Sequence, residues 1–232
     1  MNKWMKTYWR QRGNANFEDS EEFEMDYAEK INDEIAKIKI DPINISFIIN
    51  PSEEVQLVAV RYFGPLIEDI ENPSEQVQLV AVQQSGLAIE HIIKKGITPS
   101  EQVQLAAVQQ NGYAIKHIEN PSEELQMVAV KQEGEAIKYI QNPSEQVQLT
   151  AVKQHGVAVF HIMKRVDRPS EEVQMAAVQQ YAGAIEYIIE KGITPSEQVQ
   201  IVAIRRNPNL IKYIKNPSEQ VKQLARSKGM RI

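Results

Sequence analysis

The sequence predicts an all-α protein, a right-handed α-solenoid of about seven helix-turn-helix repeats, each 22–26 residues long. Three observations predict it. The triplet Pro-Ser-Glu recurs at Pro51, Pro73, Pro99, Pro121, Pro143, Pro169, Pro195 and Pro217, so successive starts lie 22 or 26 residues apart. Each start leads into an apolar-rich run such as Val55-Gln56-Leu57-Val58-Ala59-Val60, then two polar residues, usually a glycine, and a short Ala-Ile-x-x-Ile segment. The four extra residues of the longer units all follow that second segment, as in Ile93-Lys94-Lys95-Gly96, and about four residues make one helical turn.

Each repeat therefore reads as a helix A followed by a shorter helix B. In Asn50-Pro51-Ser52-Glu53 the pattern predicts Asn at the N-cap, Pro at the first helical position and Glu at the third, a capping box. Thr98 and Thr194 take the same role, and Arg168 gives the weakest cap. Gly64, Gly86, Gly112, Gly134 and Gly156 are expected to end helix A in a left-handed conformation, with differently shaped turns at Ala182 and Pro208. The four-residue insertions should lengthen helix B by a turn without rotating its faces. One unit cannot fold alone. Its large aliphatics contribute roughly 10 kcal/mol if buried, against a cost on the order of 20 kcal/mol for ordering about twenty residues. Each unit must lean on its neighbours.

The chain divides into residues 1–41, a basic and aromatic segment followed by an acidic capping helix over about residues 17–39, and residues 42–232, the repeats with a polar C-terminal cap. At the start of the repeats, Asn44-Ile45-Ser46-Phe47-Ile48 matches a helix B with no full helix A before it. At the other end, Gln223 and Arg226 replace the usual Leu and second Val.

Composition narrows the function. The chain has no cysteine, which excludes disulfides, thiolate metal sites and a thiol nucleophile, and fits a reducing cytoplasm. Residues 1–13 carry Lys3, Lys6, Arg10 and Arg12 with no apolar stretch after them, so no secretory signal is expected, and no membrane span is present. The net charge of −5 argues mildly against nonspecific nucleic-acid binding.

The outward columns supply the candidate contact residues. Gln56, Gln78, Gln104, Gln126, Gln148, Gln174 and Gln200 fall inside the apolar arc of helix A. They read as a buried amide row bonded to inter-repeat backbone or to each other, in preference to a ligand-reading ladder. The strip Arg61, Gln83, Gln109, Lys131, Lys153, Gln179, Arg205 and its neighbour Tyr62, Gln84, Gln110, Gln132, Gln154, Gln180, Arg206 contain no acid. Such a ridge suits phosphates or an acidic protein surface, and it equally suits cations placed at helix C-termini. One flank of helix B carries Phe47, Asp69, His91, His117, Tyr139, His161, Tyr187 and Tyr213. No second His or Cys column accompanies these histidines, so half-buried packing is preferred, partner contact comes next, and metal or catalysis last. Phe160 replaces residues that are otherwise charged or Ser, and Tyr113 and Phe63 stand at variable positions expected to be exposed. Trp4, Tyr8 and Trp9 either fold back as part of the cap or make a separate contact.

The stretch Pro195-Ser196-Glu197-Gln198-Val199-Gln200-Ile201-Val202-Ala203, with Arg205-Arg206-Asn207-Pro208-Asn209-Leu210, resembles the short helical arrays of the leucine-rich-variant kind. That resemblance spans residues 42–225 and implies an α-helix paired with a shorter, often 3₁₀, second helix; the iron–sulfur module of some such arrays needs cysteines and is excluded. Residues 103–115 also resemble uncharacterised repeats of bacterial, phage and large-virus proteins. That similarity implies an interaction role, such as blocking a host factor, and no chemistry.

The leading expectation is thus a non-enzymatic scaffold that binds a protein partner as an inhibitor or adaptor, without cofactor or metal. Its candidate contacts are Phe160, Tyr113, His117, Tyr139, His161, Lys131, Lys153, Trp4 and Trp9. The alternative is a nucleic-acid binder using the Gln/Lys/Arg ridge. An enzyme is the distant third, since no metal-ligand spacing, nucleophile elbow or phosphate loop occurs.

Overall fold

A computed structural model describes residues 21–231, with side chains from residue 27 onward. The segment holding Trp4, Tyr8 and Trp9 lies outside the described residues. Within them the chain is an α-solenoid: seven helix A–helix B pairs stand in sequence order, each touching its neighbours. Helix A is a ten-residue α-helix in every repeat: Glu53–Tyr62, Glu75–Gln84, Glu101–Gln110, Glu123–Gln132, Glu145–Gln154, Glu171–Gln180 and Glu197–Arg206.

Helix B depends on repeat length. In repeats 1, 3, 4 and 7 it is a six-residue 3₁₀ helix: Gly64–Asp69, Gly112–His117, Gly134–Tyr139 and Pro208–Tyr213. The four additional residues of repeats 2, 5 and 6 turn it into an α-helix, Ile89–Lys94, Ala158–Ile162 and Ala184–Glu190. The four residues thus change the helix type rather than simply adding a turn: the α segments are six, five and seven residues long, the first preceded by a 3₁₀ turn at Gly86–Ala88. Repeats 2 and 6 then end in left-handed glycines, Gly96 at φ 77° and Gly192 at φ 76°.

Helix A is capped differently from the expectation. Ser52 is the N-cap, in extended conformation, and its hydroxyl oxygen accepts from the Val55 amide at 3.3 Å. Every helix A repeats this, including the one after Arg168, where Ser170 accepts from Val173 at the same 3.3 Å. Asn50 lies outside the helix in a left-handed conformation, φ 51°. Thr98 and Thr194 are likewise not caps. With Ser at the cap, Glu falls at the first helical position rather than the third, so no capping box forms. The glutamate instead reaches the next repeat: the Ser74 hydroxyl donates to Glu53, Ser100 to Glu75, Ser144 to Glu123, Ser196 to Glu171 and Ser218 to Glu197. One hydroxyl accepts within its helix and donates across the joint.

The glycines before helix B also serve the joint. Gly64, Gly86, Gly112 and Gly134 are buried, Gly156 is half-buried, and none adopts the left-handed backbone expected of a helix end. A Cβ on Gly134 would lie 2.8 Å from the Ala151 carbonyl oxygen of the next repeat, and one on Gly86 would collide with that of Ala107. The side chain is missing because two backbones meet there. The turn at Pro208 is the same 3₁₀ turn found at the glycines, contrary to expectation, whereas that at Ala182 opens directly into an α-helix, as does the turn after Gly156.

One continuous core of Val, Ile, Ala and Leu runs the length of the array. At its start, Ile38 of the helix Glu21–Ile40 is fully buried, and the 3₁₀ helix Pro42–Phe47 buries Ile45 as an isolated helix B. At its end, Glu219–Ser227 buries Val221 and Ala225 while Gln223 and Arg226 face outward. Replacing Gly134 by Ala is expected to lower unfolding stability by about 1–3 kcal/mol through overpacking at the joint; chemical denaturation checks this, and an unchanged midpoint refutes it.

Candidate interaction surface

Three surfaces follow from the repeat: the amide row inside helix A, the edge formed by its C-terminal turns, and the flank of helix B.

The amide row is structural, as preferred, but its partner differs from the expectation. Gln126 Nε2 donates to the Pro121 carbonyl at 2.9 Å, and Gln148 to Pro143 at the same distance. All seven glutamines make this bond within their own repeat, to the proline that precedes the cap. Neither inter-repeat backbone nor the next glutamine is the partner.

At the C-terminal edge, Lys131 and Lys153 are exposed on the last turn of helix A. The column beside them ties repeats together. Gln84 Oε1 accepts from the Gly64 amide at 2.7 Å, and Gln110 Oε1 from Gly86 at 2.6 Å. Gln132 donates to the Gln109 carbonyl at 2.9 Å, and Arg206 donates to the carbonyl of Gln179. These donors satisfy carbonyls left over at helix ends, which is what a cation or amide at a helix C-terminus does.

The helix B flank forms a ladder between neighbours. His91 Nδ1 faces Glu68 Oε2 at 3.0 Å, and His117 Nε2 faces Glu90 Oε2 at 3.5 Å. Both nitrogens face the carboxylate without forming a hydrogen bond to it. The partner carboxylate belongs to the preceding repeat. Tyr139 continues the ladder: its ring lies edge-on to Tyr113 at 6.3 Å, with Lys138 Nζ 5.1 Å from both ring centroids. Burial, first, and Glu133 and Glu135, next, raise the Tyr113 phenol above its ordinary pKa, so it stays neutral beside that lysine.

Phe160 is half-buried rather than exposed. Its ring centroid lies 3.8 Å from that of Tyr187 and 6.0 Å from that of Tyr181. Tyr113 is half-buried as well, while Phe63 is 53% exposed. His161 stands half-buried in the same flank. The structure thus brings Tyr113 and Tyr139 together, and Phe160 with Tyr187. It places Lys131 and Lys153 on the other helix. Sequence reading missed Lys138 and Tyr181 as members of these clusters. A signal existed: Glu68 to His91 is 23 residues, Glu90 to His117 is 27 and Phe160 to Tyr187 is 27, each one more than the intervening repeat length of 22 or 26.

Among the described residues no three His, Cys, Asp or Glu side chains form a group that could hold a metal, and no helix is long and apolar enough to cross a membrane. No family model, curated protein or solved structure matches the chain.

Burial lowers the imidazole pKa of His117 and of His161 below the ordinary 6.5. At His117 the Glu90 carboxylate opposes this, with Lys116, Lys94 and His91 adding to it; at His161 Lys164 adds to it. The folded chain then holds these protons less tightly than the unfolded chain. Stability is complete above pH about 6.5 and falls as pH drops through the lowered values. NMR titration should place both midpoints below 6.5. The denaturation midpoint should fall between about pH 7 and pH 5 more steeply than in a His117→Asn, His161→Asn variant; equal slopes would contradict this.

Proposed function

We propose that the chain is a non-enzymatic scaffold that binds a protein partner through the helix B flank of repeats 3–6, as an inhibitor or adaptor. One observation carries the reading. Around half-buried Phe160 and Lys138, the tyrosines 139, 181 and 187 are fixed by ring contacts yet remain 39%, 44% and 41% exposed. Tyrosines held in place with open faces lose little freedom when a partner covers them, and they dominate the energy of known interfaces. Lys138 between two rings and Arg165, which donates to the Lys138 carbonyl, add cationic character at the centre. His117 and His161 sit at the margin of that surface. A cysteine-free chain fits work in a reducing cytoplasm.

Nucleic-acid binding remains the second reading, favoured by the exposed Lys131, Lys153 and Arg205 on the opposite helix. Gln84, Gln132 and Arg206 of the adjacent column already donate to backbone carbonyls, which leaves that edge fewer free donors. The two readings separate by salt: a phosphate-binding edge loses affinity steeply as salt rises, while an aromatic surface does not.

Affinity isolation from the native host, with the partner then titrated against a Tyr181→Ala, Tyr187→Ala variant, tests the leading reading. Both side chains are exposed, so the fold should persist by circular dichroism while affinity falls about thirtyfold, or roughly 2 kcal/mol. Recovery of nucleic acid alone, or unchanged affinity in the variant, would overturn it.

A further inference from the structure

The first helix B of the array lacks the neighbour that every later one has. The 3₁₀ helix Pro42–Phe47 packs on the helix Glu21–Ile40 and on both helices of repeat 1, and no helix B precedes it among the described residues. Further along, the rings of the flank lean on the repeat before them: His91 on Glu68, His117 on Glu90, Tyr139 on Tyr113 and Tyr187 on Phe160. Phe47 heads that column, and with no earlier repeat to lean on it is 78% exposed.

Phe47 does not stand alone. Ile40, Ile43 and Ile49 are 84%, 53% and 78% exposed, so four large apolar side chains lie open within ten residues. Ile49 occupies a surface position that the other short repeats fill with Glu71, Glu119, Gln141 and Lys215. Ile40 occupies one that holds Gln110, Gln132 and Arg206 in repeats 3, 4 and 7. Of the ten large hydrophobic side chains exposed among the described residues, six fall between residues 40 and 63, with Tyr62 and Phe63 completing the set. Single exposed apolar residues need no explanation, but a cluster at one end of the array marks a contact.

Reach, composition and charge select what covers it. The helix Glu21–Ile40 has 20 residues and is about 30 Å long. The twelve residues that lead from Trp9 to its start span up to about 40 Å when extended, so residues 4–9 can return to the Ile40 end. That stretch holds Trp4, Met5, Tyr8 and Trp9, at the i, i+1, i+4, i+5 spacing that puts apolar side chains on one side of a helix. Residues 1–13 carry Lys3, Lys6, Arg10 and Arg12 and no acid, hence +4, which leaves −9 on the rest of the chain. Between residues 39 and 71 six acids are exposed, against two cations, Lys39 and Arg61. Two of those acids, Asp69 and Glu71, hold the positions of Phe47 and Ile49 one repeat on.

We propose that this face is the docking site of the chain's own residues 4–9, whose apolar side chains cover Phe47 and the three isoleucines and stand in for the missing preceding repeat. Lys3, Lys6 and Arg10 then lie toward the acids of repeat 1, a pairing of opposite charge. The face is separate from the tyrosines of repeats 3–6, so the proposal stands or falls independently of the protein-binding reading.

The chain has two tryptophans, Trp4 and Trp9, so its tryptophan fluorescence reports on that segment alone. Emission of the folded chain should lie to the blue of the urea-unfolded chain, and a Phe47→Asp, Ile49→Glu variant should lose that shift. The variant carries what repeat 1 has at these positions, so circular dichroism should show the fold retained. Because the chain has no cysteine, a Thr7→Cys, Ser46→Cys variant gives a second measurement, which decides if the first variant does not fold. Docking raises the effective concentration of the two thiols, so under mild oxidation their intrachain disulfide should form at least about tenfold faster than in a Thr7→Cys, Ser227→Cys control. Emission already at the unfolded position, an undiminished shift in the folded Phe47→Asp, Ile49→Glu variant, or a disulfide no faster than in the control would each overturn the proposal. Disulfides formed only between chains would assign the face to a second copy and overturn it as well.

Discussion

The constraint on which this fold rests is the closeness of approach between consecutive repeats. A unit with so few large side chains holds its shape only against its neighbours, and the joints are made at backbone distance. Ala151 presents a carbonyl where Gly134 has no side chain, and the serines that start five of the helices A reach back to the glutamate before them. Gln84 and Gln110 close the other end of the joint on the amides of Gly64 and Gly86. Steric fit and polar pairing thus act at the same places, which fixes register as well as distance.

The sequence was most legible where periodicity alone decides. The order of repeats, the isolated helix B at Pro42–Phe47 and the polar terminal helix all follow from spacing and apolar pattern. It was least legible where a residue serves the next repeat. Asn50 and Ser52 are both good cap residues, and local pattern cannot choose between them. The choice becomes clear once the serine hydroxyl is seen to have a second partner across the joint. The glycines look like helix stops because that is the commonest local use of glycine, yet their role is to make room. Phe160 reads as exposed in a column of charged residues because the rings that flank it, Tyr181 and Tyr187, lie about one repeat further along.

The two faces of helix A and the flank of helix B divide the chemistry cleanly. Carboxylates gather where helices A begin, and amides and cations where they end. The one flank free of that dipole-driven pattern is where histidines, tyrosines and Phe160 vary from repeat to repeat. Variation tied to recognition is expected at positions that the joints leave unconstrained, and repeats 3–6 show it most. The core beneath is nearly invariant from one unit to the next, so surface variety costs the scaffold little.

The second helix has a consequence for how such a chain can grow or shrink. Repeats 2, 5 and 6 carry four extra residues there, and helix A starts afterwards with the same serine geometry as elsewhere. The non-helical connection takes up those residues, because the serine of the next helix A meets its glutamate in the same way after a 22-residue repeat as after a 26-residue one. Unit length and joint geometry are therefore uncoupled in this array: residues can be spliced in behind helix B while the seat of the next unit stays as it was.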